Sequence, residues 1–178
     1  MKTLLLTPVL LALVAALRAQ DPLSLQPEEP DLTGTWYTKA LVSNMTVPGR
    51  KMFKVAFPFT MTAQEGGSLE ARVTLMIKGQ CHVKEILMQK TAEPGKYSAF
   101  GGRKLIYVEE LPVKDHYIFY CKEQGPGKTF GVGKLVGRTP EENPEALEEF
   151  RKFVQRKRLP QEKIVIPEQR ESCVPERD

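Results

Sequence analysis

From Gly34 onward the chain alternates apolar and polar residues, run after run, with turn residues between. A period of two predicts strands with one face in an apolar interior and the other in water. GTWYTKALV is the first run. FKVAFPFTMTA is the second, with Phe53, Val55, Phe57, Phe59 and Met61 on one face. Pro58 falls on the other face, where its missing N–H predicts an edge or a bulge. EGG is a tight turn into SLEARVTLMIK, which turns Leu69, Ala71, Val73, Leu75 and Ile77 inward. CHVKEILMQK, KYSAF, KLIYVEEL, DHYIFYCK and KTFGVGKLVG follow, joined by hairpin-length links; the longer exception is the connection 44–51. The reading is all-β: an eight-stranded up-and-down antiparallel barrel. The interior of such a barrel either fills with side chains or holds one small ligand.

The period then changes. Over 143–158, Leu147, Phe150 and Val154 form a helical stripe that Ala146 and Phe153 widen. Asn143 is the expected N-cap and Pro144 the first helical residue. Acidic residues gather near the start and Arg156, Lys157 and Arg158 near the end, which complements the helix dipole. EKIVIP reads as a short ninth strand, followed by a polar stretch with Cys173 and a tail over 174–178.

The N-terminus has a different character. Lys2 precedes an apolar run over 4–17 that ends near Ala19, the pattern of a signal peptide over 1–19. Residues 20–33 form an acidic, Pro-containing arm, and the barrel with its helix occupies 34–173. The expectation is a secreted protein with no integral membrane segment in the mature chain. Removing Lys2 and Arg18 lowers the formal charge from +4 to +2 (4 − 2), and no basic stripe interleaves with aromatics, so nucleic acid is not expected as a partner. In an oxidising compartment three cysteines allow one disulfide and leave one thiol over. NMT places an N-glycosylation sequon at Asn44.

Candidate chemistry is sparse. GPGKT superficially resembles a phosphate loop, but Lys122 stands where the first glycine is required, and the segment joins two strands; it reads as a hairpin turn. The two histidines, His82 and His116, lack metal-ligand spacing, so neither a metal nor a cofactor is expected. His116 and Cys121 are five apart on one strand and point to opposite faces, so they form no dyad; His116 reads as a surface or mouth residue. Trp36, just after Gly34, would plug one end of the barrel under Arg138, which ends the last strand. Lys134 shares the inward parity of Val132 and Val136. A lysine there is costly without a partner, unless the glycines turn it outward; inward, it could anchor a carboxylate or present an amine to an aldehyde.

GTWY near the start, DHYIFYC in the seventh strand and KLVGR closing the eighth resemble, in order and spacing, three motifs of the lipocalins. EGGSLEARVT, EPGKY and EALEEF extend the likeness to the tear-lipocalin (von Ebner's gland protein) and type 2 odorant-binding subgroup, from about Gly34 to Cys173. The resemblance implies a one-ended calyx that transports small hydrophobic molecules: fatty acids, other lipids, retinoids or odorants. It implies a Cys81–Cys173 disulfide, whose loop of about 90 residues the chain-entropy model values at roughly 4–5 kcal/mol. It implies an interior role for Lys134. The expected wall is Phe57, Phe59, Val73, Leu75, Val108, Tyr117, Phe119, Cys121 and Val132. The second strand is more aromatic than in these relatives, which would narrow the cavity or favour flatter ligands. Further expected partners are a cell-surface receptor and, at most, a weak dimer of the chain. Two alternatives attach to the family. Prostaglandin D synthases isomerise a ligand with a cavity thiol, although Cys121 lies on the seventh strand and not where that branch carries its nucleophile. Other relatives inhibit cysteine proteases through the N-terminal segment, for which QDPLSLQPEEPD offers no matching motif.

Overall fold

The computed structural model describes residues 28–45 and 54–177. The expected signal peptide, part of the arm, Phe53 and most of the connection 44–51 lie outside the described residues. The described part falls into two units, 28–31 and 32–177, and the second carries the fold.

Its strands are β1 (Gly34–Ser43), β2 (Val55–Ala56), β3 (Phe59–Ala63), β4 (Leu69–Ile77), β5 (Gln80–Lys90), β6 (Lys96–Ala99), β7 (Lys104–Glu110), β8 (His116–Gly125) and β9 (Lys128–Gly137). All but β2 close into an eight-stranded antiparallel barrel, with β9 returning to β1. Pro58 breaks the second apolar run into β2 and β3 because it cannot donate to a ladder. The GPG segment is a hairpin turn, with Gly127 at φ +70° between β8 and β9.

Helix α1 (Pro144–Arg156) packs on the outside of the barrel. Asn143 caps it, its side-chain oxygen accepting from the Ala146 N–H at 3.0 Å. Ala146, Phe150, Phe153 and Val154 are fully buried against Ala40, Val42, Ile118 and Leu135. Each large side chain contributes about 1.5–3 kcal/mol by leaving water. The barrel wall is therefore apolar on both faces under the helix, with one core inside the barrel and one outside it.

The segment after α1 differs from the expected ninth strand. Gln161–Lys163 is a 3₁₀ turn, and Val165 makes only an isolated bridge to Leu41. Pro167 interrupts the ladder, and β10 (Glu168–Gln169) forms after it, parallel to β2. A disulfide joins Cys81 to Cys173 and ties the C-terminal stretch to β5.

Candidate functional site

One end of the barrel is shut by Trp36. Its ring is fully buried, edge-on to Tyr117 at 5.3 Å, and its N–H donates to the Leu32 carbonyl at 2.9 Å. The Arg138 guanidinium lies 3.6 Å from the ring centroid and donates to the Thr35 carbonyl. Gly34, at φ +98°, leaves room for it: a Cβ there would stand 3.1 Å from the Arg138 nitrogen.

Above this floor lies a cavity of about 140 Å³. Phe57 and Phe59 line one side, with Val73 and Leu75 on β4, and Phe119 and Cys121 on β8 opposite. Phe59 and Phe119 meet at 6.3 Å between ring centroids. Lys134, from β9, is the charged side chain of the lining and makes no ion pair among the described residues. The odd-numbered alternation of β8 and the even-numbered alternation of β9 bring Phe119, Cys121 and Lys134 to this one space.

Three expected wall residues lie elsewhere. Tyr117 belongs to the floor against Trp36. Val108 packs against the inner core beside Phe119, and Val132 pairs with Cys121, but neither lines the cavity. Conversely, Ile86 and Met88 of β5, Ile106 of β7, and Thr38 and Leu41 of β1 line it although the expected wall does not include them. Their alternation within β5 and β7 was the available signal. Asn44 sits exposed at the end of β1, and its side-chain oxygen accepts from the Gly131 N–H at 2.8 Å.

The Cys121 thiol is pushed up by burial, against the smaller opposing pull of Lys134 and Lys104. It is therefore protonated near neutral pH, and a protonated thiol is a poor nucleophile.

His116 corrects the sequence reading. It is buried, not at the surface or mouth, and its Nε2 lies 2.9 Å from Lys39 Nζ. Its Nδ1 lies 2.8 Å from the Lys114 carbonyl. The outward face of β8 is covered here, so outward parity does not mean solvent. Among the described residues no cluster of side chains suits a metal ion.

Residues 33–171 match the lipocalin / cytosolic fatty-acid binding protein family. The chain is 49% identical to vomeronasal secretory protein 2 of Mus musculus, over 100% of this chain and 96% of that protein. It is 46% identical to odorant-binding protein 2a of Mus musculus, with 98% of each covered, and 45% identical to lipocalin-1 of Sus scrofa, with 96% of each covered. The solved structure of the siderocalin Ex-FABP superposes with a TM-score of 0.69 at 21% identity, covering 80% of this chain and 97% of that one, a likeness of fold alone. A barrel shut by Trp36 and Arg138, flanked by one packed helix and matched over nearly its whole length by these relatives, places this chain in the lipocalin / cytosolic fatty-acid binding protein family.

Proposed function

We propose that the chain is a secreted carrier that takes a small hydrophobic molecule into its calyx. The observation that carries this is an apolar cavity, closed below by Trp36, whose lining holds one ammonium, that of Lys134. Burial of apolar ligand surface supplies the affinity, at about 25 cal/mol per Å². Lys134 orients a carboxylate or another polar head. The cavity's 140 Å³ is below the roughly 300 Å³ at which drug-sized pockets begin. Compact, odorant-sized molecules therefore suit it best, and longer chains require Phe57 and Phe59 to move. The odorant-binding name of one relative points the same way. The disulfide and the apolar N-terminal run support secretion.

A carrier is favoured over a thiol isomerase because burial holds Cys121 protonated. Displacement of an environment-sensitive apolar dye by compact acids, alcohols and aldehydes tests the reading. Val73→Trp, which fills the cavity, is expected to lower dye affinity at least tenfold. A dye that binds this variant as well as the wild type does not sit in the calyx, and the reading fails.

A further inference from the structure

A second cavity lies outside the barrel wall. Its volume is about 330 Å³, more than the 140 Å³ of the calyx. It opens between the start of α1 and the segment 166–169, over β1 and β9. Leu135, Leu147 and Ile166 give it apolar walls, and Ile166 is 51% exposed.

Its floor is polar, and a β-bulge builds it. Between Thr38 and Ala40 the register of β1 on β9 slips, and Lys39 is the extra residue. Lys39 and Ala40 therefore both leave the barrel interior. Lys39 is 8% exposed, and its ammonium meets His116 Nε2. Three protons on that nitrogen leave two beyond the histidine. Beside it, the Gln169 amide donates to the Thr38 carbonyl at 2.7 Å. The other end of that amide, Oε1, is buried with no hydrogen-bond partner among the described residues, a condition that costs stability. Lys39 and Gln169 line the same cleft.

We propose that this cleft is a second ligand site, distinct from the calyx, for a small apolar molecule carrying a hydroxyl group. The hydroxyl oxygen accepts from Lys39 Nζ, its proton goes to Gln169 Oε1 once a small shift of that side chain exposes the atom to the cleft, and the hydrocarbon lies on Leu135, Leu147 and Ile166. A hydroxyl fits because it accepts and donates at one atom. A carboxylate cannot donate to Gln169 and meets Glu142 and Glu168 at the rim; an ammonium meets Lys39. The site does not depend on the calyx reading.

Methyl NMR of the full mature chain separates the two sites. Probes at Leu135, Leu147 and Ile166 report the cleft, and probes at Val73, Leu75 and Ile86 report the calyx. Titration with 1-octanol is expected to shift the cleft methyls saturably, and octanoate to require at least tenfold more ligand for the same shift. Gln169→Leu is expected to weaken octanol at the cleft methyls about tenfold, the loss of one hydrogen bond. Leu147→Trp, which fills the cleft, should abolish the response. Octanol shifts confined to the calyx methyls, or octanoate equal to octanol at the cleft, overturn the proposal. The wild-type titrations decide this even where a variant does not fold. Failure of the calyx reading would show separately, as calyx methyls that respond to neither ligand.

Discussion

Lys39 Nζ and His116 Nε2 lie 2.9 Å apart under the packed outer layer of the barrel, and both side chains are buried. Two groups that can each be cationic share this space only because His116 is neutral there. With its Nδ1–H given to the Lys114 carbonyl, Nε2 is left to accept from Lys39. Gly137 makes the contact possible: a Cβ at that position would stand 2.9 Å from Lys39 Cδ and 3.0 Å from His116 Nε2. The motif that closes β9 with a glycine therefore serves an outside polar pair as well as the barrel.

Stability should fall on acidification because of this pair. Burial lowers the His116 pKa most and the Lys39 charge lowers it further, while the Lys114 carbonyl and Asp115 oppose. Burial also lowers the Lys39 pKa, with Glu141 opposing. The unfolded histidine, with a pKa of about 6.5, binds a proton that the folded one refuses, so stability rises with pH in this window. The contribution is complete above about pH 6.5 and is lost as the pH falls toward the lower folded value. Thermal unfolding between pH 7.5 and 5 should show a falling midpoint, and His116→Gln should flatten it. An equally steep slope in the variant would assign the acid sensitivity to other groups.

Arg138 locks the closed end. Its guanidinium covers the Trp36 ring and holds the Thr35 carbonyl. Arg138→Ala should cost about 1–2 kcal/mol in denaturant unfolding, the sum of a partly desolvated cation–π contact and one hydrogen bond. Arg138→Lys should recover only part, since an ammonium does not stack flat on the ring. Near-edge tryptophan fluorescence should red-shift in both variants as water reaches Trp36.

The barrel was legible because its rule is simple: alternate residues face in, and turn residues mark the ends. Trp36, Arg138 and Lys134 could be placed by counting in twos along β1 and β9. Counting failed where the structure breaks its own period. The bulge at Lys39 turns two successive residues outward, and nothing in YTKAL marks it. His116 was misread because outward residues of β8 face a second core rather than water. Parity turns Tyr117 inward, but parity fixes a face and not a height above the floor, and Tyr117 lies against Trp36. The late, short β10 follows from Pro167, a residue visible in the sequence whose effect on pairing depends on β2 lying alongside.

Cys121 should behave as a shielded thiol. Burial raises its pKa, so the thiolate fraction at pH 7.5 is small. Reaction of the native protein with a disulfide reagent should run well over tenfold slower than in denaturant. An apolar acid that fills the calyx should slow it further, because Cys121 lines the same space as Lys134. Labelling that is fast and indifferent to ligand would place the sulfur outside the cavity.

Lys134 provides the sharpest test of the calyx. A ligand carboxylate seated against it forms a charge-assisted hydrogen bond in an apolar surround, worth about 1.5–3 kcal/mol. Lys134→Ala should therefore weaken octanoate, read at the Val73 and Leu75 methyls, by roughly 10- to 150-fold. Octanol read at the same methyls should lose less than about threefold, since only packing against the lysine stem is removed. Lys134→Met keeps that stem without the charge and should reproduce the acid-selective loss. The cavity would widen little, so a general loss of packing could not explain it. Equal weakening of acid and alcohol in both variants would reduce Lys134 to part of the wall.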